Sequence, residues 1–357
     1  MKKTLAAFFC CLLTAGLFAA GAKDSKTEDI PIKVMAVDGA PILPLIKMWT
    51  DGAEVMRGYK ISYQHLGGPD LLTASLMNQA PDFAIAPVNI AAVAHNNGSG
   101  YLLAAVNVWG IMHIVSNQNV KSLDDLKGGT IVAFGKAGTP GITLRAVLRQ
   151  NSIKFVEDMG TAYSVPPDTI HIIYLAEAIN VREAIIAGRL DNLNVRFGLL
   201  AEPVATVIAG ATQNSAHGQF TARINLQDEW ARNNSGEIYP QATLIFHQRL
   251  LGKHRDFVDK FIAAAELSSQ YAQSNPLAVG NLAAARDGLV RSNAIPNGAV
   301  VANAVNAGRL PLDFTAAAGA KNAINAYLRA IYDDSPSSRN LIGGRIPSGS
   351  FYYDWKP

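Results

Sequence analysis

Cysteine is nearly absent from this 357-residue chain, and its two copies, Cys10 and Cys11, stand side by side near the start. Both fall within residues 1–22. There MKKT supplies two lysines, LAAFFCCLLTAGLFAA is an unbroken apolar core, and Ala20-Gly21-Ala22 offers a small-residue cleavage site. The pattern is that of a secretory signal, and the apolar stretch is at the short limit for a membrane-spanning helix. A lipid-modified cysteine is the alternative reading, although the cleavage signature follows both cysteines. Removal of residues 1–22 leaves a chain without cysteine, which excludes disulfides, thiolate metal sites and cysteine nucleophiles together.

An excess of charge is also missing. The segment after residue 22 carries 29 Lys+Arg against 28 Asp+Glu, so neither nucleic acid nor an acidic membrane surface is an expected partner. No later apolar run is long enough to span a bilayer. The seven histidines (65, 95, 113, 171, 217, 247 and 254) are scattered without paired metal-ligand spacing. GKAGTPG is not a P-loop, because its Gly-Lys pair lies at the wrong end, and no Ser-His-Asp set can be assigned. The expected product is an exported, soluble, periplasmic protein with no metal, no cofactor and no catalytic residue. Its length allows two lobes, each with its own core.

What is present is a repeated unit of strand, loop and helix. IKVMAV leads through Asp38-Gly39-Ala40-Pro41 to a helix around ILPLIKMW, and KISYQHL through Gly67-Gly68-Pro69 to LLTASLMNQ. DFAIA leads through Pro87-Val88-Asn89 to IAAVAHNN, and YLLAAVNV ends at Trp109-Gly110. A second set follows SLDDLKGG, where Ser122 and Asp125 have capping-box spacing. Its units are TIVAFG with the helix ITLRAVLRQN, IHIIYL with VREAIIAG, and LNVRFGLL with ATVIAG. Strands alternating with such helices predict parallel sheets built from βαβ units. AIAPVNIAAV and LLAEPVATVI share a Pro-Val step at the third strand of each set, which points to two similar lobes. Beyond Tyr239 come one more strand, ATLIFHQ, and then helices. HRDFVDKFIAAAELSSQYAQ places Phe257, Phe261, Ile262 and Leu267 at helical spacing, and NLAAARDGLV and INAYLRAIYDD follow. The Ser/Pro/Gly-rich tail ends in an aromatic cluster that should pin it to a lobe.

In open α/β sheets, ligands bind beyond the carboxyl ends of the strands. Helix N-termini there present unpaired N–H groups and partial positive charge to anionic or polarised oxygen atoms. The loop residues are therefore the ligand-binding candidates: Asp38, Gly39, Pro41, Gly67, Gly68, Pro69, Pro87, Asn89, Trp109, Gly138, Thr139, Glu177 and Glu202. Plain helix capping is the competing explanation for each loop, and Asp70 fits it as a first-turn dipole partner. Asn89 can exchange hydrogen bonds with a ligand or cap its helix. Trp109 can stack on a planar ligand or pack between lobes. Asp38, Glu177 and Glu202, against Lys136 and Arg182, disfavour a bare small anion if any of the acids faces the ligand.

GGPDLLTASLMNQAPDFAIAPVN, AAVNVWG, SLDDLKGGTIVAFGKAGTPGITLRAVLRQN, REAIIAGRLD, AEPVATV and YPQATLIFHQRLLGKHRDFVDKF occur in this order. The series resembles the extracytoplasmic solute-binding proteins of the nitrate/sulfonate/taurine class of ABC importers, over most of residues 32–335. The class also includes binders of thiamine-pyrimidine and riboflavin-like compounds. The resemblance implies a type II periplasmic-binding-protein fold, α/β and two-lobed, each lobe a mainly parallel sheet flanked by helices. It further implies two hinge strands, placed at IMHIVSN (111–117) and ATLIFHQ (242–248). Residues 30–112 plus 245–357 would form lobe one, and 113–244 lobe two. The implied function is a monomeric binding protein that closes around a small organic anion and meets an ABC permease in the membrane. A nitrogen heterocycle is the alternative ligand, and a receptor's ligand-sensing subunit the alternative role. Related pyrimidine synthases of this fold carry a cysteine-rich motif that the mature chain lacks.

Overall fold

The computed structural model describes residues 29–52, 54–286 and 295–356. The leader with its two cysteines, and the part of the expected NLAAARDGLV helix from residue 287 on, lie outside the described residues. The first run of units comprises β1 (Ile30–Val37), α1 (Ile46–Asp51), β2 (Tyr59–Leu66), α2 (Pro69–Met77), β3 (Phe83–Pro87), α3 (Val88–Asn96) and β4 (Tyr101–Trp109). The second comprises β5 (Met112–Ser116), β6 (Thr130–Phe134), α4 (Thr139–Gln150), β7 (Lys154–Glu157), β8 (Thr169–Leu175) and α5 (Ala178–Ala187). It continues with a small hairpin of β9 (Arg189–Leu190) and β10 (Leu193–Asn194), then β11 (Phe197–Ala201), α6 (Val204–Ala211), β12 (Thr221–Asn225) and α7 (Leu226–Arg232). Last come β13 (Pro240–His247), α8 (Arg255–Ser274), α9 (Pro276–Ala284), α10 (Gly298–Asn306), β14 (Thr315–Ala316) and α11 (Ala317–Asp334). No helix among the described residues is long and apolar enough to cross a membrane.

Two six-stranded sheets result, in the orders β14-β4-β13-β3-β1-β2 and β12-β5-β11-β6-β8-β7. Each has a parallel block (β2, β1, β3 and β7, β8, β6, β11) followed by one reversed strand, β13 or β5. The reversal follows from the chain path. β5 is the first strand after entry into the second sheet and β13 the first after the return, so IMHIVSN lies in the second sheet and ATLIFHQ in the first.

Local chemistry sets the ends of the elements. Ser122 and Asp125 form the expected capping box, with Asp125 Oδ2 accepting from the Ser122 amide at 2.9 Å. On α8, Phe257, Phe261 and Ile262 are buried as expected, but Leu267 is 65% exposed. The buried stripe of α8 continues through Ala265, Ser268, Ser269 and Ala272, and Leu267 falls off it. The tail is pinned by its aromatics: the Tyr353 amide donates to Leu103 O at 2.8 Å, Tyr353 Oη to Asp259 at 2.8 Å, and Trp355 meets Phe314 edge-on. β7, β12, α7 and α10 are short elements that hydrophobic periodicity alone did not reveal.

The lobes meet around the crossing at Gly110. Its amide donates to Tyr239 O at 3.0 Å, and the Met112 amide to Tyr239 Oη at 3.3 Å. Tyr239 stacks on Tyr327 of α11 with ring centroids 5.2 Å apart, and Trp230 closes on both rings edge-on. α11 also reaches the second lobe directly: Tyr327 Oη lies 2.7 Å from Thr143 Oγ1 of α4. Asp334, at its end, accepts from Arg145 Nε at 2.9 Å and Arg149 Nη1 at 2.5 Å. One apolar cluster consequently runs through both lobes, from Leu72 and Tyr101 to Leu144 and Phe197.

A Cβ at Gly110 would overlap Gln227 Oε1 and the Tyr239 ring. Gly110→Ala is therefore expected to destabilise the fold by about 1–3 kcal/mol, as overpacking does, which urea unfolding measures. Burial pushes the Asp334 carboxyl up, but hydrogen bonds from Arg145 and Arg149 outweigh it and hold the group at about 2, below the ordinary 3.8. A depressed carboxyl contributes stability above its unfolded-state value that is lost as pH falls through the folded one. The Asp334 contribution should thus be full above pH 4 and fade towards pH 2. Asp334→Asn should lower stability at neutral pH by about 3–5 kcal/mol, because Arg145 keeps a buried, half-compensated charge, and should flatten the acid limb of the pH–stability curve.

Candidate functional site

Parallel register brings the strand-end loops together. Val37 pairs with Leu66, and Ala36 with both His65 and Ile85, so β1, β2 and β3 finish at one edge of the first sheet. Phe134 pairs with Leu175, and Val132 with Gly198, so β6, β8 and β11 finish at one edge of the second. The Pro-Val steps match structurally as well as in sequence: Pro87 and Pro203 are the N-cap residues of α3 and α6.

On the first lobe, Gly39 has φ 95° and leads into a short 3-10 helix that contains Pro41. Asp38 is mostly buried, with Oδ1 2.6 Å from His65 Nδ1. Gly67 and Gly68 border open space, since a Cβ at either would meet nothing within 4 Å. Pro69 and Asp70 begin α2, where Gly68 is the N-cap and no side chain caps the helix. Asn89 Nδ2 donates to Leu341 O at 3.3 Å, which leaves Oδ1 a buried acceptor without a partner among the described residues. Trp109 is 6% exposed and donates from Nε1 to Asp313 O at 3.0 Å, so its ring and its polar atom are used in packing.

On the second lobe, Gly138 caps α4 and Thr139 opens it, half-buried. Gly141 must be small, because a Cβ there would stand 2.7 Å from Gly135 O in the loop folded over this helix start. Glu177 is exposed and caps α5, its amide donating to Asn180 Oδ1 at 3.1 Å. Glu202 is enclosed: its carboxylate accepts from the Thr206 amide and hydroxyl at 3.0 Å each and from Arg309 Nε at 2.6 Å. Arg309 lies just after α10, so this ion pair joins the lobes. His113 Nε2 is 3.2 Å from Arg309 O, and burial holds its imidazole below the ordinary value. Lys136 pairs with Asp158 at 2.6 Å. Arg182 Nε is buried without a partner among the described residues.

The first-lobe loops thus share one edge and the second-lobe loops another, while Trp109 and Glu202 are occupied by protein partners. Sequence reasoning missed His65, Arg309 and the chain around Leu341. Arg309 is 107 residues from Glu202 in sequence, and no short-range signal connects such a pair. A cavity of about 350 Å³ adjoins the loops, with Lys136 and Ala137 on one side and the chain from Asp334 to Leu341 on the other.

No protein-family model matches this sequence, and no curated protein matches it. Solved structures do. An ABC transporter structure from Parabacteroides distasonis superposes with a TM-score of 0.68 at 22% identity, over 92% of this chain and 100% of that one. The periplasmic aliphatic sulphonate binding protein of Escherichia coli superposes with a TM-score of 0.59 at 16% identity, over 92% and 94%. A Candida albicans gene product with the generic periplasmic binding protein structural fold superposes with a TM-score of 0.50 at 13% identity, over 90% and 92%. With two sheets of matching strand order and helices on their faces, this chain has the two-lobed periplasmic-binding-protein fold.

Proposed function

We propose that the protein is the exported solute-binding subunit of an ABC importer, which closes around a small organic anion of the sulfonate or nitrate type and presents it to a membrane permease. The observation that supports this reading is that each sheet gathers its strand-end loops at one edge, and that the chain crosses from one sheet to the other at Gly110. Contacts made by both sets exist together only when the lobes are close, so a ligand that makes them shifts the population towards closure. The helix starts at Asn89 and Thr139 supply donors for an oxyanion. The aliphatic sulphonate binding protein among the structural relatives supports the anion class. In this reading residues 1–22 are a cleaved signal, the lobes divide at about residues 112 and 244, the protein acts as a monomer, and no residue is catalytic.

Asn89 Oδ1 favours a second reading. A buried acceptor without a partner among the described residues suits a ligand N–H group, as a nitrogen heterocycle would provide. Asn89→Asp separates the two, because a carboxylate there repels an anion yet still accepts from an N–H.

A melting screen of nitrate, taurine, alkanesulfonates, bicarbonate, pyrimidines and flavins should give one clear stabiliser. At a hundredfold its Kd the ligand adds about 2.7 kcal/mol, and small-angle scattering should show the molecule contract. Turnover of any of these compounds, or no stabiliser at all, overturns the proposal. Thr139→Ala should weaken the ligand by about 1 kcal/mol, roughly fivefold in Kd, without lowering the melting temperature of the free protein. Calorimetric titration checks this.

A further inference from the structure

The 350 Å³ cavity between the lobes borders the strand-end loop at Lys136 and Ala137. One wall belongs to the second lobe, from Lys136 and from Arg149 on α4. The other is the chain after α11, which the two repeated sets of loops do not include. That chain is tied to the first lobe at the candidate site itself, because Leu341 O takes the Asn89 amide.

The charges in this cavity are not equally available. Asp334 is 3% exposed, and its oxygens accept from Arg145, Arg149 and Ser338, so it presents no free oxygen. Arg145 is likewise occupied, by Asp334, Lys136 O, Glu157 and Tyr174 Oη. Glu157 faces the cavity from the acidic side, but Arg145 pairs with it at 3.3 Å. Two cations remain open. Arg149 is 48% exposed and uses only Nη1, on Asp334, among the described residues. Lys136 is 50% exposed and gives Asp158 one of its three hydrogens.

The serines complete the picture through the direction of their protons. A carboxylate only accepts, so Ser338 donates to Asp334, and Ser335 in turn donates to Ser338 Oγ at 2.7 Å. Ser335 Oγ already accepts from the Ser338 amide at 3.2 Å. Ser337, 3.0 Å from Ser335, then donates its O–H to Ser335 Oγ, whose own proton is committed to Ser338, so none of the three hydroxyls has a proton to spare for a ligand.

We propose that this cavity is an oxyanion subsite on the flank of the interlobe cleft, in which Arg149 and Lys136 hold the sulfonate or phosphate end of a small organic ligand. The inference rests on the cleft being a ligand site and names a third wall for it. An oxyanion there lies between both lobes, since its cations belong to the second, Arg149 on α4 and Lys136 in the loop before it, and the facing wall is the segment tied to Asn89.

The test is calorimetric titration of the full chain with methanesulfonate and with inorganic phosphate. Which of the two binds more tightly separates a sulfonate end from a phosphate end. Arg149→Gln is expected to weaken the bound probe by about tenfold or more, the loss of one charge-assisted contact. Arg149→Lys should restore part of that loss. Lys260→Gln, on α8, should leave affinity as it is. Arg145 continues to hold Asp334 in the Arg149 variants, and circular dichroism verifies that they fold. Affinity within twofold of the wild type in both Arg149→Gln and Lys136→Gln overturns the subsite, as does failure of both probes to bind. If another compound contracts the molecule while these variants bind it normally, the subsite falls and the closing function stands. If a probe binds through Arg149 with no contraction, the subsite stands and the closing function falls.

Discussion

One tie between the two lobes centres on a residue without a side chain. At Gly110 the chain leaves the first sheet for the second, and Tyr239 lies against it so closely that any Cβ would overlap the ring. The amide of Gly110 and that of Met112 both bond to Tyr239, whose ring stacks on Tyr327 and meets Trp230 edge-on. This arrangement places two chain crossings and one helix, α11, on a common pivot. Because the contact is aromatic and fully buried, separating the lobes there would expose large apolar surface.

The two ion pairs that flank the pivot differ in what they leave for a ligand. Glu202, at the end of β11, is enclosed, and Arg309 neutralises it from the other lobe. Of the three acids that weigh against an anionic ligand, Glu202 is thereby neutralised by a protein partner. On the opposite flank Asp334 is shared between two arginines, so one cation there is only partly compensated. The same motif, an acid of one lobe bound to an arginine of the other, acts as a closed clasp in the first case and leaves an open cationic edge in the second.

The C-terminal segment links these features. Its serines and Leu341 stand between the Asn89 loop of the first lobe and the Lys136 loop of the second. The aromatic tail beyond it, anchored through Tyr353 and Trp355, prevents the segment from drifting away. A stretch rich in Ser, Pro and Gly thus serves as a wall because its ends are fastened, α11 on one side and the aromatics on the other.

The chain by itself determined the architecture of each lobe. Alternating strand and helix patterns located β1–β4, β6, β8, β11 and α2–α6, and the Pro-Val repeat anticipated the matching starts of α3 and α6. These signals are local, since periodicity and capping act over a few residues. The short charged strand β7, the helix α7 and the exposure of Leu267 were not legible, because each is decided by what packs against it. The same limit applies to the site. Sequence located the loops at the strand ends, but only the tertiary structure decided which of their polar groups are free. Glu202 is occupied by Arg309, Trp109 by Asp313 and Asp38 by His65, and Asn89 keeps one acceptor unpaired among the described residues. Partners 27 to 204 residues apart meet through the register of the sheets and the crossing at Gly110, and no pattern within a single segment encodes that meeting.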